Sequence, residues 1–314
     1  MEITFLGTGS GAPTRHRNVS GTALQLTEQG ELWLFDCGEG TQHQILRAPM
    51  VRLSQLTRIF FTHLHGDHLF GLIGLLASRA LSQGGSGPVT LYGPAGLSDY
   101  VRVSLRVSGM HRFGYPVDVR VVEAGLVFED EEIGVFATPV RHRIEAYAYA
   151  IQEKPRQGRF DVDAARALGV PDGPLFGKLK SGERITLGDG RIIDPEGLTG
   201  PLRSGRRVVL SGDTVAAPEL TELAHGADVL IHEATYADPD RALADRAAHS
   251  TALSAAETAR DAGVGQLYLT HFSPRYESDA GIRMEDLLTE ARSVFPETRL
   301  AYDLMRVPVP RRED

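Results

Sequence analysis

The chain is poor in several residue types, and each shortage removes a class of explanation. There is one cysteine in 314 residues, Cys37, which excludes an internal disulfide and a thiolate metal cluster. Any bound metal must therefore take His and carboxylate ligands, and Cys37 itself reads as a small buried apolar residue. No stretch approaches the ~18 consecutive apolar residues of a membrane helix. The start, Met1-Glu2-Ile3-Thr4-Phe5-Leu6-Gly7, lacks the basic opening and long apolar core of a signal peptide. A cytoplasmic protein without a membrane partner is the expectation. An excess of positive charge is missing too: the net charge is −8 and the pI about 5.8, so bulk charge does not draw this chain to nucleic acid. Any polyanion must be met by local basic clusters.

Lysine is the scarcest cation, and its placement is uneven. All three lysines, Lys154, Lys178 and Lys180, fall in the stretch 152–200. That stretch also carries Arg156, Arg159, Arg184 and Arg191, but its acidic residues make it neutral overall. The basic clusters are thus Lys154 to Arg159 and Lys178 to Arg184, with Arg203, Arg206 and Arg207 just beyond. With Pro155, Pro171, Pro174, Pro195, many glycines and no long apolar period, 152–200 reads as an insertion projecting from the domain. A loop of that length inside a compact domain is unusual unless it has a function.

What the chain does have, at 42% apolar content, is enough to bury a large core. Short apolar or alternating runs bounded by turn residues read as strands at Ile3 to Leu6, Thr22 to Leu26, Leu32 to Phe35, Arg58 to Phe61, Val89 to Tyr92, Val117 to Val122, Ile133 to Val140, Arg207 to Leu210, Val229 to Ile231 and Gln266 to Leu269. Helical patterns occupy Leu69 to Leu81, Leu97 to Val107, Pro218 to His225, Ser250 to Ala262 and Arg283 to Val294. Strands and helices interspersed along the whole length point to a layered α/β or α+β domain over 1–314 with buried sheets.

The densest chemistry is His63-Leu64-His65-Gly66-Asp67-His68, directly after an apolar strand. Four potential ligands crowded there would repel or be costly to desolvate, and a divalent cation removes both objections. Three further residues share that position at the carboxyl end of a strand: His142, Asp213 and His271. Open α/β sheets bind ligands at that edge. Five His and two Asp are too many for one tetrahedral zinc but suit two ions sharing a bridging carboxylate. Such centres hold their ions ~3.5–4 Å apart and clamp the attacking and leaving oxygens of a displacement at phosphorus, so hydrolysis is the implied chemistry. Zinc is the first expectation, manganese or iron the next.

Gly7-Thr8-Gly9-Ser10-Gly11-Ala12 has the spacing of a dinucleotide fingerprint but no helical period after it. A tight loop beside the metals, lending amides and Arg15 or Arg17 to a phosphate, fits better; plain turn glycines are the bland alternative.

The pattern His63-x-His65-x-Asp67-His68 with His142, Asp213 and His271 resembles the metallo-β-lactamase superfamily. The resemblance narrows on Gly7 to Thr14 with Arg17-Asn18, Phe35 to Gln42, Gly173-Pro174 to Gly182, His232-Glu233-Ala234-Thr235 and His249-Ser250-Thr251, which look like signatures of the ribonuclease Z family in its short bacterial form. It spans nearly the whole chain, and Arg15 and His16 are its only departure, since lysine is more usual nearby. The resemblance implies a four-layer αβ/βα sandwich, two zinc ions per subunit and a homodimer. It implies that 152–200 is a flexible arm clamping precursor tRNA for the partner subunit's active site. One zinc would take His63, His65, His142 and Asp213, the other Asp67, His68, His271 and Asp213, with Asp67 as proton acceptor. His249, oriented by Glu233, is expected to protonate the leaving 3′ oxygen; a phosphate contact or a helix cap is the competing role. His232 is expected behind the metal shell. Asp36 reads either as a carboxylate behind a zinc histidine or as a strand-end turn residue. The rival function is hydrolysis of small phosphodiesters, sulfate esters or lactones by the same metals.

Overall fold

The computed structural model describes residues 1–81, 87–278 and 281–311, which divide into two compact units. The larger unit comprises Met1–Gln152 and Arg207–Pro310; the smaller comprises Glu153–Arg206 with the C-terminal segment beginning at Arg311.

The larger unit is built on two seven-stranded sheets. The first contains β1 (Glu2–Gly7), β2 (Gly21–Leu26), β3 (Glu31–Phe35), β4 (Leu56–Phe60), β5 (Val89–Gly93) and β6 (Val117–Val121) in that spatial order, with the last strand of the chain, β16 (Arg306–Pro308), outside β1. The second contains β7 (Gly125–Glu129), β8 (Ile133–Pro139), β9 (Tyr147–Glu153), β12 (Arg207–Leu210), β13 (Val229–Glu233), β14 (Gln266–Thr270) and β15 (Thr298–Leu300) in spatial sequence. The numbers β10 (Ile185–Thr186) and β11 (Ile192–Ile193) belong to the smaller unit.

Alternation along each strand assigns the layers, because successive side chains point to opposite faces. Phe5, Leu24, Trp33, Phe35 and Phe60 from the first sheet share one cluster with Val135, Tyr149, Ile151, Val208, Ile231 and Tyr268 from the second, so these faces meet. Stacked rings fill that seam, with Phe60 5.0 Å from Phe35 and 4.7 Å from Tyr92. The other face of the first sheet, through Leu6, Leu34, Ile59 and Phe61, packs on α1 (Thr41–Arg47), α3 (Leu72–Leu81) and α4 (Leu97–Val107). The other face of the second, through Ala150, Val209, Leu230 and Leu267, packs on α7 (Pro218–Ala224), α9 (Ala252–Ala262) and α10 (Met284–Val294). The result is the four-layer αβ/βα sandwich expected. Short α2 (Gly66–Leu69) and α8 (Arg241–Ala247) lie at the strand-end edge.

The smaller unit differs from the sequence reading in one respect. It is not a bare loop: α5 (Val162–Ala167), α6 (Pro174–Lys180) and the β10–β11 ribbon enclose Ala165, Val170, Leu179, Ile185, Leu187, Ile193 and Leu198. Its apolar residues are spread over elements too short to show a period. At its base Arg206 forms a buried fork with Glu153, and the two backbones pair from Glu153 N–H to Arg206 C=O. Arg206 is therefore a structural clamp rather than part of an exposed basic cluster. Arg207, in the larger unit, is likewise turned to Gln152 and the Leu223 carbonyl. Among the described residues no helix is long and apolar enough to cross a membrane.

Candidate metal centre

Strand ends deliver the ligands. His63 and His65 follow β4, Asp67 and His68 sit on α2, His142 follows β8, Asp213 follows β12, and His271 follows β14 in a left-handed backbone conformation (φ 59°). All seven converge, in two groups. In the first, His63 Nε2 lies 3.0 Å and His142 Nε2 3.1 Å from His65 Nδ1. In the second, His271 Nε2 lies 3.3 Å from both His68 Nε2 and Asp67 Oδ2. Asp213 Oδ2 faces both groups, 3.6 Å from His63 Nε2, 3.4 Å from His68 Nε2 and 3.3 Å from His271 Nε2.

In four of the five rings, His63, His68, His142 and His271, the outer nitrogen is already committed. His142 Nδ1 donates to the Ala248 carbonyl (2.9 Å), and His68 Nδ1 to Asp36 Oδ2 (2.7 Å). With protons on the outer side, the inner lone pairs, on Nδ1 of His65 and Nε2 of the other rings, face one another and carboxylate oxygens, an arrangement that repels unless cations occupy the middle. The donor set of imidazole and carboxylate thus fits divalent metals. Burial favours the neutral, ligating form of the first group's rings: it pushes the His63 pKa down to about 2, with neighbouring His68 adding to the effect, and lowers His65 and His142 as well. In the second group burial works the same way on His68, but the charges of Asp213 and Asp36 prevail and hold its pKa well above the ordinary imidazole value. Burial opposes the charge on Asp213, but His271, His68 and His63 hold its pKa well below the usual carboxylate range.

The glycine-rich loop is placed as a tight turn, and no helix opens after it, as the dinucleotide alternative would require. Its Gly11 N–H donates to Asp67 Oδ2 at 2.7 Å. Arg15 is exposed, but Arg17 departs from the expectation of a phosphate contact. Its guanidinium turns inward, over the Phe272 ring at 4.6 Å, and donates to Thr8 Oγ1 and the Ala301 carbonyl. Burial lowers its pKa. Arg17 therefore braces the loop against the residue next to His271.

Glu233, at the end of β13, is buried and accepts from Thr214 N–H, Ser250 N–H, Thr235 N–H and Thr235 Oγ1. It also holds His249 Nδ1 at 3.0 Å. Burial works to lower the His249 pKa, but the Glu233 charge and hydrogen bond prevail and raise it to about 8. The cap of α9 is Thr251, whose side chain accepts from Ser254 N–H, so His249 is not the cap. His232 is fully buried with Nδ1 donating to the Glu233 carbonyl, and among the described residues it joins none of the candidate ligand groups. Asp36 stands behind a candidate ligand, accepting from His68 as well as from Thr62. Thr62 and Thr235 are site residues to which the sequence reading gives no role; the available signals are the adjacency of Thr62 to His63 and the place of Thr235 at the end of the His232-Glu233-Ala234-Thr235 motif. A cleft of about 400 Å³ opens outside His65, His142 and His249, rimmed by Arg143, Tyr236, Arg246 and Arg275.

In the smaller unit, Arg156, Arg159, Lys178 and Lys180 are exposed and Lys154 partly so. Gly173, at φ 140°, and Pro174 start α6, whose last turn carries Lys178 and Lys180. Arg156, Arg159, Lys180, Arg203 and Arg311 line one groove of about 660 Å³ with Phe160 and Phe176, and among the described residues no carboxylate lines it.

Residues 1–152 match a family profile described as anti-Pycsar protein Apyc1, and 195–272 one described as a beta-lactamase superfamily domain. A ribonuclease Z of Brevibacillus brevis is 55% identical over 312 residues, 99% of this chain and 98% of the relative. One from Acaryochloris marina is 51% identical with the same coverage. Among solved structures, the short form of human tRNase Z superposes with a TM-score of 0.71 at 29% identity, covering 99% of this chain and all of that one. YhfI from Bacillus subtilis, a metallo-beta-lactamase fold protein, gives 0.69 at 18% identity over 98% of this chain and a similarity of fold alone. The seven converging ligands, the sandwich that positions them and these full-length relatives agree: the chain belongs to the ribonuclease Z family.

Proposed function

We propose that this chain is a metal-dependent endoribonuclease that removes the 3′ trailer from precursor tRNA, leaving a 3′-hydroxyl on the tRNA and a 5′-phosphate on the trailer. The observation that carries this reading is full-length identity above half with ribonuclease Z relatives, which embraces the arm as well as the metal-ligand body. Hydrolysis of small phosphodiesters, sulfate esters or lactones alone is not favoured, since such substrates give the cationic groove of the arm nothing to hold.

We take the metals to be two zinc ions, one on His63, His65, His142 and Asp213, the other on Asp67, His68, His271 and Asp213. When bound, divalent ions lower the pKa of a water to ~7 and draw off charge building on the phosphate oxygens. Asp67, fixed by Gly11 N–H, orients the attacking water and takes its proton. His249, held protonated and aimed by Glu233, gives a proton to the 3′ oxygen of the last retained nucleotide as it leaves. The cations Lys154, Arg156, Arg159, Lys178 and Lys180, with the Gly173-Pro174 turn, hold tRNA phosphates; Arg15 meets phosphate nearer the metals, while Arg17 acts as a brace. The assembly is a cytoplasmic homodimer, a reading supported by apolar Leu46, Met50 and Phe70 exposed on and beside α1 and α2. Light scattering tests it.

Incubating the protein with a 3′-extended precursor tRNA, mapping both new ends and repeating with a chelator tests the activity. A cut at another position, or one indifferent to the chelator, overturns the reading.

A further inference from the structure

Two carboxylates behind the metal ligands make the same unusual arrangement. Asp36 holds His68 directly, at 2.7 Å, and Thr62 Oγ1 at 2.9 Å; Thr62 Oγ1 in turn lies 3.0 Å from His63 Nδ1. Glu233 holds His249 directly, at 3.0 Å, and Thr235 Oγ1 at 2.8 Å; Thr235 Oγ1 lies 2.9 Å from His271 Nδ1. In each case the threonine clasps its carboxylate twice, because its backbone N–H donates there too, at 2.8 Å from Thr62 and 2.9 Å from Thr235. One copy is built on the first sheet and the other on the second.

Proton counting makes each arrangement directional. A hydroxyl has one proton. A carboxylate oxygen within 2.9 Å and carrying none must receive it, since two bare oxygens at that distance would repel. The threonine oxygen is then left with lone pairs toward the ring, so the ring nitrogen facing it must be N–H. Nδ1–H leaves Nε2 unprotonated, and in both His63 and His271 it is Nε2 that points into the cluster. Thr62, Asp36 and His63 in one copy and Thr235, Glu233 and His271 in the other are buried, which excludes bulk water as a substitute partner along each relay.

We propose that Thr62 and Thr235 are positioning residues, matched relays that fix the tautomers of His63 and His271 and set the metal affinity of the two ligand groups separately. The inference rests on the metal-dependent reading above. Through its own hydroxyl Thr62 serves the group of His63, His65 and His142, while Asp36 behind it also holds His68 of the other group; Thr235 serves the group of Asp67, His68 and His271 and ties it to the carboxylate that aims His249.

The test uses zinc-loaded protein titrated with a competing chelator. Thr62→Val and Thr235→Val keep the branched shape and remove the hydroxyl. Each should weaken a different one of the two zinc equivalents by ~10–100-fold, the usual effect of losing an outer partner of a metal ligand. Thr62→Ser and Thr235→Ser should restore most of the loss, which a packing defect would not allow. Nitrogen-15 spectra of the zinc-loaded wild type provide a second measurement that needs no variant: His63 and His271 should both show protonated Nδ1 and metal-facing Nε2. Unchanged affinity in both valine variants, loss of the same equivalent in both, failure of serine to rescue, or Nε2-protonated rings would each overturn the relays while leaving the metal reading intact. Wild-type protein that holds no zinc would instead overturn the metal reading, and the relays with it.

Discussion

The body and the arm use charge in opposite ways. In the body, the two central carboxylates are buried and their hydrogen bonds committed: Asp213 faces candidate ligands from several strand ends, and Glu233 accepts from five groups. In the arm, Arg159, Lys178 and Lys180 are exposed, and the hydrophobic cluster beneath them is small. Buried charges act through fixed geometry in a low dielectric, where a misplaced atom is costly; exposed cations act through number and salt-dependent attraction. The comparison teaches that reaction and recognition should fail separately.

The sharpest test is Asp213→Ala. Removing the one carboxylate that faces both groups should reduce bound metal and bring cleavage of both precursor tRNA and bis(p-nitrophenyl) phosphate below detection; metal analysis and both rates check it. His249→Ala comes next. With metal retained, it should slow tRNA cleavage by ~10²–10⁴-fold, the range of a general acid. It should spare the nitrophenyl ester, whose leaving group needs no proton. Equal loss on the two substrates would place His249 elsewhere in the reaction. Replacing residues 155–204 by a short Gly-Ser turn should lower kcat/KM for precursor tRNA by on the order of 10²-fold, because the RNA phosphates then lack their cationic partners. The small ester should be cut as before, and parallel losses would erase the division between body and arm. A milder version is Lys178→Ala with Lys180→Ala, expected to raise KM but not lower kcat. It should also flatten the log–log salt dependence by roughly one unit for each phosphate no longer neutralised.

The smallest effect is at the arm's base. Burial works against the charge of Glu153, but its bonds to Arg206 depress its pKa below the ordinary value of 4.5. A depressed carboxylate contributes stability that is present above its unfolded pKa and lost as pH falls through the folded one. Protease nicking of the arm should therefore rise only as the pH falls below the ordinary range of a glutamate carboxyl in the wild type. Glu153→Gln should move that susceptibility to neutral pH.

The sequence is legible in the body because strong periodicity and strand-end position coincide there. The runs ending before His63, His142, Asp213 and His271 are each long enough to read as strands, and their carboxyl ends meet. Strands β7 and β9 give no such signal, the first for its exposed, mixed residues (Gly125–Glu129) and the second because Tyr147–Glu153 mixes small alanines with tyrosines. The arm's helices are illegible because six or seven residues hold too few turns for a period to show. Arg17 reads as outward in the sequence because a loop cation is solvent-facing by default. The Phe272 ring and the Ala301 carbonyl, distant in sequence and adjacent in space, reveal the brace. Thr62 and Thr235 carry no spacing signature, because their role depends on a hydroxyl proton between partners brought together by the fold.

The clamp between Glu153 and Arg206 has a further consequence. Strands β9 and β12 are antiparallel neighbours whose register, Gln152 opposite Arg207 through Tyr149 opposite Leu210, is complete before the arm begins. In topological terms the arm is an overgrown hairpin turn. Lengthening a closed loop costs only ~0.6 kcal/mol for each doubling, and the register on either side is pinned independently of what lies between. The segment can thus be lengthened, shortened or replaced without disturbing the register of the body, and the same junction offers protein engineers a ready site for grafting a different module.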